Sequence, residues 1–561
     1  METRDFDVIC IGAGGAGVAA AVSAARAGAR VAVLSKEPIG YGDTRISKGV
    51  MAYAGLYPGD SPGEFYRDLI QGGEHLNDGD LARTVSQETA LAVLTIEGFG
   101  HLFCRDEGGR ITSEVLSPAG GHRFPRGLIS PSEGVSMGNA LRAAIARAGI
   151  AVFEETMAVK LYSEEGRIHG LLALHLLSGE AVFFRAASVV LATGGAGWLY
   201  YPHTDCLQSA TGDGFSLAYE AGAELIDMEQ VQFIPFGITH PRPFIGLLCG
   251  EPATAGPFGR LLNNKGEVIL EGINTMTRAQ VARAICMEVE RGGGTRHQGL
   301  ILDLSPNLAH PKGLKAREKM KEIGIFEPVR EAYGERAYDW EEPWDVSPTA
   351  HYHMGGIRAD SEGRTGIKGL YAAGQAQGGI HGGNRLGSVS LAEVFIFGRR
   401  AGRSAAQSAL GGVRGKINRV ESLITADVQE LKSLYGSRGS YRPIKLKRRL
   451  QELMWKKVGV LREEGKLKEA LEELGELEAL SRDLSISPIK RLNREVQDAL
   501  ELRMMLNVAK AMALSALERK ESRGAHVRLD FPQRDDFGWR RNILVWKEGM
   551  EMKVRAEEVR N

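Results

Sequence analysis

Residues 6–34 constrain the fold more than any other part of this chain. An apolar, strand-like run over residues 6–12 leads into Gly12-Ala13-Gly14-Gly15-Ala16-Gly17. An alanine-rich helical stretch then reaches Gly28, and Arg30-Val31-Ala32-Val33-Leu34 reads as a second strand. This is a βαβ unit, the start of an open α/β sheet. In that setting Gly12 permits a tight turn, Gly14 lets a pyrophosphate reach the backbone, and Gly17 lets helix and strand close on each other. The helix N-terminus then faces the anion. The acid that ordinarily ends the second strand is missing, and Ser35-Lys36-Glu37 stands there. Lys36 is either a partner for ribose or phosphate or a solvated strand end; both readings stay open.

Further segments extend the nucleotide fold. Residues 187–195 form an apolar strand ending in Thr193-Gly194-Gly195, and Gly369-Leu370-Tyr371-Ala372-Ala373-Gly374 repeats the pattern downstream. Between them there is room for an inserted domain at 231–349. From His351 through Gly374 to Arg385 a histidine, a dense glycine track and a lone arginine follow closely, as a pocket-closing element requires. Residues 436–526 read as a separate helical domain. Its leucines at 461, 467, 471, 474, 477 and 480 are core positions, although Gly465 and Gly475 weaken the case for one unbroken helix. A second amphipathic helix is expected over 490–520. The tail carries Arg528, Arg534, Asp535, Asp536 and Trp539 and reads as a docking surface.

The 561 residues exceed one ordinary core, so two to four domains are expected. Lys and Arg number 70, matching 70 Asp and Glu, which argues against a general nucleic-acid binder. No apolar run of roughly 18 or more residues suggests a membrane span, and the opening residues carry no signal-peptide pattern; a cytoplasmic location is expected. The five cysteines (Cys10, Cys104, Cys206, Cys249, Cys286) have no CxxC spacing, so neither a disulfide framework, a metal site nor an iron–sulfur cluster is expected on this chain.

Taken in order, Gly12–Gly17, Ser35-Lys36, Ala192–Gly195, Thr211-Gly212-Asp213-Gly214, Met228–Phe233, His351–Gly356, Asn384–Ser388 and Glu521–His526 resemble the flavoprotein subunits of succinate dehydrogenase and fumarate reductase over nearly the whole chain. The resemblance implies an α/β fold: a Rossmann-like FAD-binding domain (1–230 and 350–435) with an inserted α+β capping domain (231–349), a C-terminal helical domain (436–526) and a short C-terminal tail domain (527–561). It implies hydride exchange between FAD and a carbon–carbon bond beside a carboxylate. FAD contacts fall on Gly12, Gly14, Gly15, Gly17, Ser35, Lys36, Asp43, Thr44, Gly49, Thr193, Gly194, Asp213, Gly374, Gln375, Arg385, Gly387, Ser388, Ser390 and Leu391. Covalent members carry a histidine where this chain has Asp43, so noncovalent FAD is expected, with a lower flavin potential favouring reduction of an acceptor. Gln375 replaces an acid, and an amide still donates and accepts. An iron–sulfur electron-transfer subunit is the expected partner, with peripheral attachment to the inner face of the membrane through partner subunits.

The resemblance assigns proton delivery to Arg278 and the substrate carboxylate to Arg385 and His351. Two departures stand out. The family's His-Pro-Thr-Gly, which holds a second carboxylate, reads Ile234-Pro235-Phe236-Gly237. Its relay glutamate falls on Pro257, with Glu251 as a substitute and a solvent-facing loop glutamate as the competing reading. One outcome is an enzyme that acts on fumarate or succinate with His240, Arg242 or Arg260 holding the second carboxylate. The other is the same chemistry on an enoate with an apolar tail, which the cost of burying an unpaired anion favours. An L-aspartate oxidase-like or adenylylsulfate reductase-like enzyme and a non-catalytic flavin scaffold are the remaining alternatives.

Overall fold

The computed structural model describes residues 2–112, 121–412 and 420–560. Its largest sheet has seven strands. Ala151–Phe153, Val31–Leu34, Glu2–Ile11 and Glu180–Leu191 run parallel in that order, with Leu370–Ala372 also parallel to Glu180–Leu191. Arg167–His175 and Thr156–Glu164 extend it as antiparallel strands. Val31–Leu34 and the C-terminal halves of Glu2–Ile11 and Glu180–Leu191, in the middle of the sheet, are apolar and almost wholly buried, as strands covered on both faces are. Helix Gly15–Arg26 lies against helix Val389–Gly411 with almost no gap. A Cβ on Gly398 would sit 2.6 Å from the Ala16 carbonyl oxygen, and one on Gly402 2.0 Å from that of Ala20. These two glycines, one helical turn apart, set the distance between the helices that flank the cofactor crevice.

The inserted domain is built on a five-stranded antiparallel sheet in the order Val231–Ile238, Trp344–His353, Leu300–Asp303, Arg260–Leu262, Val268–Glu271. Phe236, Ile238, Cys249, Val281, Ile285, Trp340 and Trp344 form its own core. Strand Trp344–His353 runs straight through position 349/350, so the same strand that closes the cap carries His351 back towards the FAD-binding domain.

Helices Pro443–Lys457, Glu464–Leu480 and Arg494–Glu518 make the helical region. Glu464–Leu480 continues through both Gly465 and Gly475. Neither glycine faces a neighbour, so each costs only helix propensity, about 1 kcal/mol. Packing of Leu467, Leu474 and Leu477 in the core outweighs it. The tail is not a free docking surface throughout. Strand Arg541–Glu548 pairs with Leu225–Ile226 of the FAD-binding domain, and Val527–Arg528 pairs with Leu461–Arg462. Arg528 is fully buried, donating to the carbonyls of Ala516 and Arg519 and to Asp530; Arg534, Asp535 and Asp536 stay exposed. Arg519, also fully buried, ties Glu229 (2.7 Å) to Glu521 (3.1 Å), welding the helical region to the strand that enters the site. Among the described residues, no helix is long and apolar enough to cross a membrane, all five cysteines are free, and no three or more His, Cys, Asp or Glu side chains cluster as metal ligands.

Candidate active site

The cofactor crevice opens where helix Gly15–Arg26 begins. Gly12 has φ +109°, and a Cβ there would lie 2.1 Å from the Ala192 carbonyl oxygen; one on Gly17 would lie 1.9 Å from that of Gly12. Only glycine fits either place. At Gly14, by contrast, the nearest atom to a Cβ is Thr44 Oγ1 at 3.9 Å, and at Gly194 (φ +75°) nothing lies within 4 Å. Backbone is therefore bare on two sides of one space. The Gly15 N–H reaches Thr44 Oγ1 (3.3 Å), and Thr193 Oγ1 and Gln375 Nε2 are buried with no protein partner. A helix N-terminus, uncovered backbone and orphaned polar side chains together fit a dinucleotide.

Several other expected contacts also have partners or fixed places within the protein. Lys36 pairs with Asp213 (2.8 Å) and with Glu501 (3.0 Å) of the helical region, and donates to Thr211 Oγ1 (2.8 Å). Burial works against its charge, but Asp213 and Glu501 outweigh it and raise the ammonium's pKa. Lys36 is thus no solvated strand end. Ser35 Oγ accepts from the Glu37 N–H, and Gly49 and Gly374 are turn glycines at φ +66° and +65°. The Gly387 carbonyl accepts from His122 Nε2, the Ser388 carbonyl from Ala52 N–H, and Leu391 is buried at the start of helix Val389–Gly411. Asp43 accepts from the Leu207 N–H at 3.1 Å. Burial pushes its carboxyl up to about 6; Leu207 opposes this, Asp205 adds to it and His351 opposes it.

Two guanidiniums and an imidazole lie beyond this crevice. Arg278 opens helix Arg278–Glu288, whose start is fixed by a reciprocal cap between Thr277 and Gln280. Its Nε and Nη2 donate to Glu251 Oε2 at 3.0 and 2.6 Å, and Nη1 donates to Gln232 Oε1 at 2.7 Å. Glu251 is therefore not a solvent-facing loop residue. It caps the short turn Pro252–Thr254, with a side chain 27% exposed. Burial would raise its carboxyl, but Arg278 wins and holds it below the usual glutamate range. The carboxylate that meets Arg278 thus comes from earlier in the chain than Pro257.

Arg385 is almost fully buried. Its Nε donates to the same Gln232 oxygen (3.2 Å), Nη1 to Ser390 Oγ and the Leu386 carbonyl (both 3.3 Å), and its guanidinium lies 4.9 Å over the Tyr352 ring. Burial, and then Arg278, pull its pKa down to about 10. His351 Nδ1 is anchored on Asp205 Oδ2 at 2.8 Å, which leaves Nε2 for a ligand. Gln232 lies in the Met228–Phe233 landmark but no role fell on it, and Asp205 does not stand out in the sequence. Strand alternation could have marked Gln232, because it shares a face with Ile234 on Val231–Ile238; Asp205 carries no local signal.

The residues of the altered motif, and the cations considered in its place, are not arranged as the sequence suggested. Ile234 is buried opposite Thr349, while Phe236 belongs to the capping-domain core rather than to a substrate wall. Arg260 is paired with Asp303 at 2.9 Å, His240 stacks on His297 at 4.1 Å, and Arg242 is exposed on a short turn.

Similarity to known proteins runs the length of the chain. The family described as "FAD binding domain" matches residues 7–391, and "Fumarate reductase flavoprotein C-term" matches residues 447–561. A fumarate reductase (CoM/CoB) chain from Methanothermobacter marburgensis is 37% identical, with 97% of each chain covered. The succinate dehydrogenase flavoprotein subunit of Coxiella burnetii is 31% identical over 98% of this chain and 96% of its own. A solved structure of Escherichia coli quinol fumarate reductase superposes with a TM-score of 0.90 at 30% identity, covering 100% of this chain and 98% of that one. With this crevice and these cations in place, the chain belongs to the fumarate reductase/succinate dehydrogenase flavoprotein family of FAD-dependent oxidoreductases.

Proposed function

We propose that this chain is the flavoprotein subunit of a fumarate reductase, with Arg385 and His351 as the carboxylate clamp and Arg278 as the proton donor. The observation that carries this reading is the Glu251–Arg278–Gln232–Arg385 string, in which one guanidinium is paired to a carboxylate and the other is not. Bound FAD supplies hydride exchange with the carbon–carbon double bond. Arg385 and His351 Nε2 take one carboxylate of the substrate and stabilise the charge that grows on it. Arg278 gives a proton to the adjacent carbon, and the guanidine takes one back from solvent by way of the Glu251 carboxylate, so the net change is one hydride and one proton added across the bond. Gln232 Oε1 holds both guanidiniums in register. With Asp43 in the linking position, FAD is held without a covalent bond, and acid precipitation should release all the flavin into the supernatant.

The partner is an iron–sulfur protein, since five scattered cysteines cannot bind a cluster and the relatives named above include subunits of multi-subunit enzymes. Any membrane attachment comes through that partner.

The buried Ile234 favours a second reading, an enoate with an apolar tail. Both readings are tested by reducing the flavin anaerobically and adding fumarate or crotonate. Reoxidation by fumarate at least about tenfold faster supports the dicarboxylate reading, because one well-placed charged contact contributes on that order. Preference for crotonate transfers the assignment to the apolar-tailed enoate, and no response to either overturns both.

A further inference from the structure

Behind Arg385 lies a string of buried polar groups that neither the anion clamp nor the proton path uses. Tyr352 follows His351 on strand Trp344–His353, at a shift in that strand's register with Val231–Ile238. Its ring lies beneath the Arg385 guanidinium, and its hydroxyl donates to Glu393 Oε1 at 2.8 Å. His381 Nε2 is 3.3 Å from the same hydroxyl. Glu393 sits in helix Val389–Gly411 with 0% exposure, and its second oxygen, Oε2, has no partner; neither has His381 Nδ1. A glutamate without any solvent contact is costly to a fold, and an apolar side chain would fill the same volume at lower cost. Here its one polar contact is the ring on which the carboxylate-binding arginine rests.

We propose that Glu393, acting through Tyr352, is a positioning residue for Arg385: it locks the Tyr352 ring in place and, while protonated, leaves the guanidinium's charge to the substrate. This rests on the role given to Arg385 above. Burial holds the Glu393 carboxyl up to about 8, against smaller pulls from Tyr352 and Arg385, so the group is neutral at and below neutral pH and gains charge above it. Once charged, it competes with the substrate carboxylate for the field of Arg385. The groups that face it are few. Strand Trp344–His353 brings Tyr352, held neutral by burial, and the loop before the helix brings Arg385 and His381, whose imidazole burial pushes down to about 3. Helix Gly15–Arg26 buries only glycine, alanine and valine, and Glu88 of helix Gly79–Phe99 is taken up by Arg399 and Arg400.

The test measures binding and turnover of the holoenzyme against pH, using fumarate for turnover and malonate, a non-reacting dicarboxylate, for binding read from the flavin spectrum. In the unaltered protein, the KM for fumarate and the Kd for malonate should rise roughly 3- to 10-fold between about pH 7 and about pH 9 as one charge develops near the clamp. Glu393→Gln, which keeps an acceptor for Tyr352 without the titration, should flatten both profiles. Tyr352→Phe, which cuts the link, should weaken malonate binding across the range. Identical profiles for the unaltered protein and Glu393→Gln overturn the proposal, and so does malonate failing to bind at any pH. Malonate binding with the expected profile, but without fumarate turnover, supports the positioning role and sinks the reductase reading alone.

Discussion

Arg278 and Arg385 touch the same Gln232 oxygen, yet their surroundings are opposites. Arg278 stands at the first position of a capping-domain helix, where the helix dipole disfavours a cation by ~0.3–1 kcal/mol, and Glu251 offsets this with two hydrogen bonds. Arg385 leaves a loop of the FAD-binding domain, and among the described residues no carboxylate pairs with it. A guanidinium already neutralised by glutamate makes a poor anion ligand but is wired for proton exchange. A buried guanidinium without a counter-ion offers its charge to a ligand, and burial, followed by the nearby Arg278, lowers its pKa to about 10 in the protein alone. Under the proposed roles, the difference separates a proton mover on one domain from an anion holder on the other.

The sharpest way to break this division is Arg278→Gln. It should lower kcat by roughly 10²–10⁴-fold, the usual span for loss of a general acid, while the KM for fumarate changes little. Steady-state kinetics on holoenzyme with unchanged flavin content checks it; a rise in KM at constant kcat would reverse the roles. Next in size, Arg385→Gln should raise KM by roughly 10²-fold, in line with about 2–5 kcal/mol for one side of a buried charge contact. Glu251→Gln should cost less, about tenfold or somewhat more in kcat, because the amide still orients Arg278 but cannot return a proton. Since Arg278 holds the glutamate's pKa below its ordinary value, the Arg278–Glu251 contact is complete above about pH 4.3 and is lost as pH falls through the lower folded value. An acid limb on kcat that disappears in Glu251→Gln is the expected signature.

What the sequence disclosed follows from how far each constraint reaches. Gly12, Gly14 and Gly17 have separate roles legible in sequence because each answers to backbone within one βαβ unit, and the Cβ distances at all three fit those roles. Glu251 is hard to place by alignment because counting back from Leu261 lands on Pro257, whereas the glutamate reaches Arg278 from across a short turn 27 residues earlier in the chain. Lys36 cannot be decided locally because its counter-ion Glu501 is 465 residues away. Phe236 looks like a pocket residue by its place in a motif, but the irregular register between Ile234 and Gly237 lets it join the cap core. Local patterns report the period of a strand or a turn; which charge meets which is settled by tertiary packing.

The smallest effect tests the histidine side of the clamp, where Asp43 stands near Asp205 and His351. In the folded protein its carboxyl titrates at about 6, against about 3.9 for an unfolded aspartate. A raised acid favours folding while it is protonated, so that contribution is full below about pH 3.9 and is lost as pH rises through about 6. Asp43→Asn is neutral throughout, and its side-chain oxygen can still accept from the Leu207 N–H. The variant should therefore match the unaltered holoenzyme near pH 4 and exceed it near pH 7, by at most about 3 kcal/mol for a shift of about two pH units. In so long a chain that is a Tm difference of only a few degrees, read by calorimetry at the two pH values. A difference that does not grow with pH would mean that Asp43 is charged in the fold, placing a fixed anion beside His351 and leaving Arg385 as the clamp's main source of positive charge.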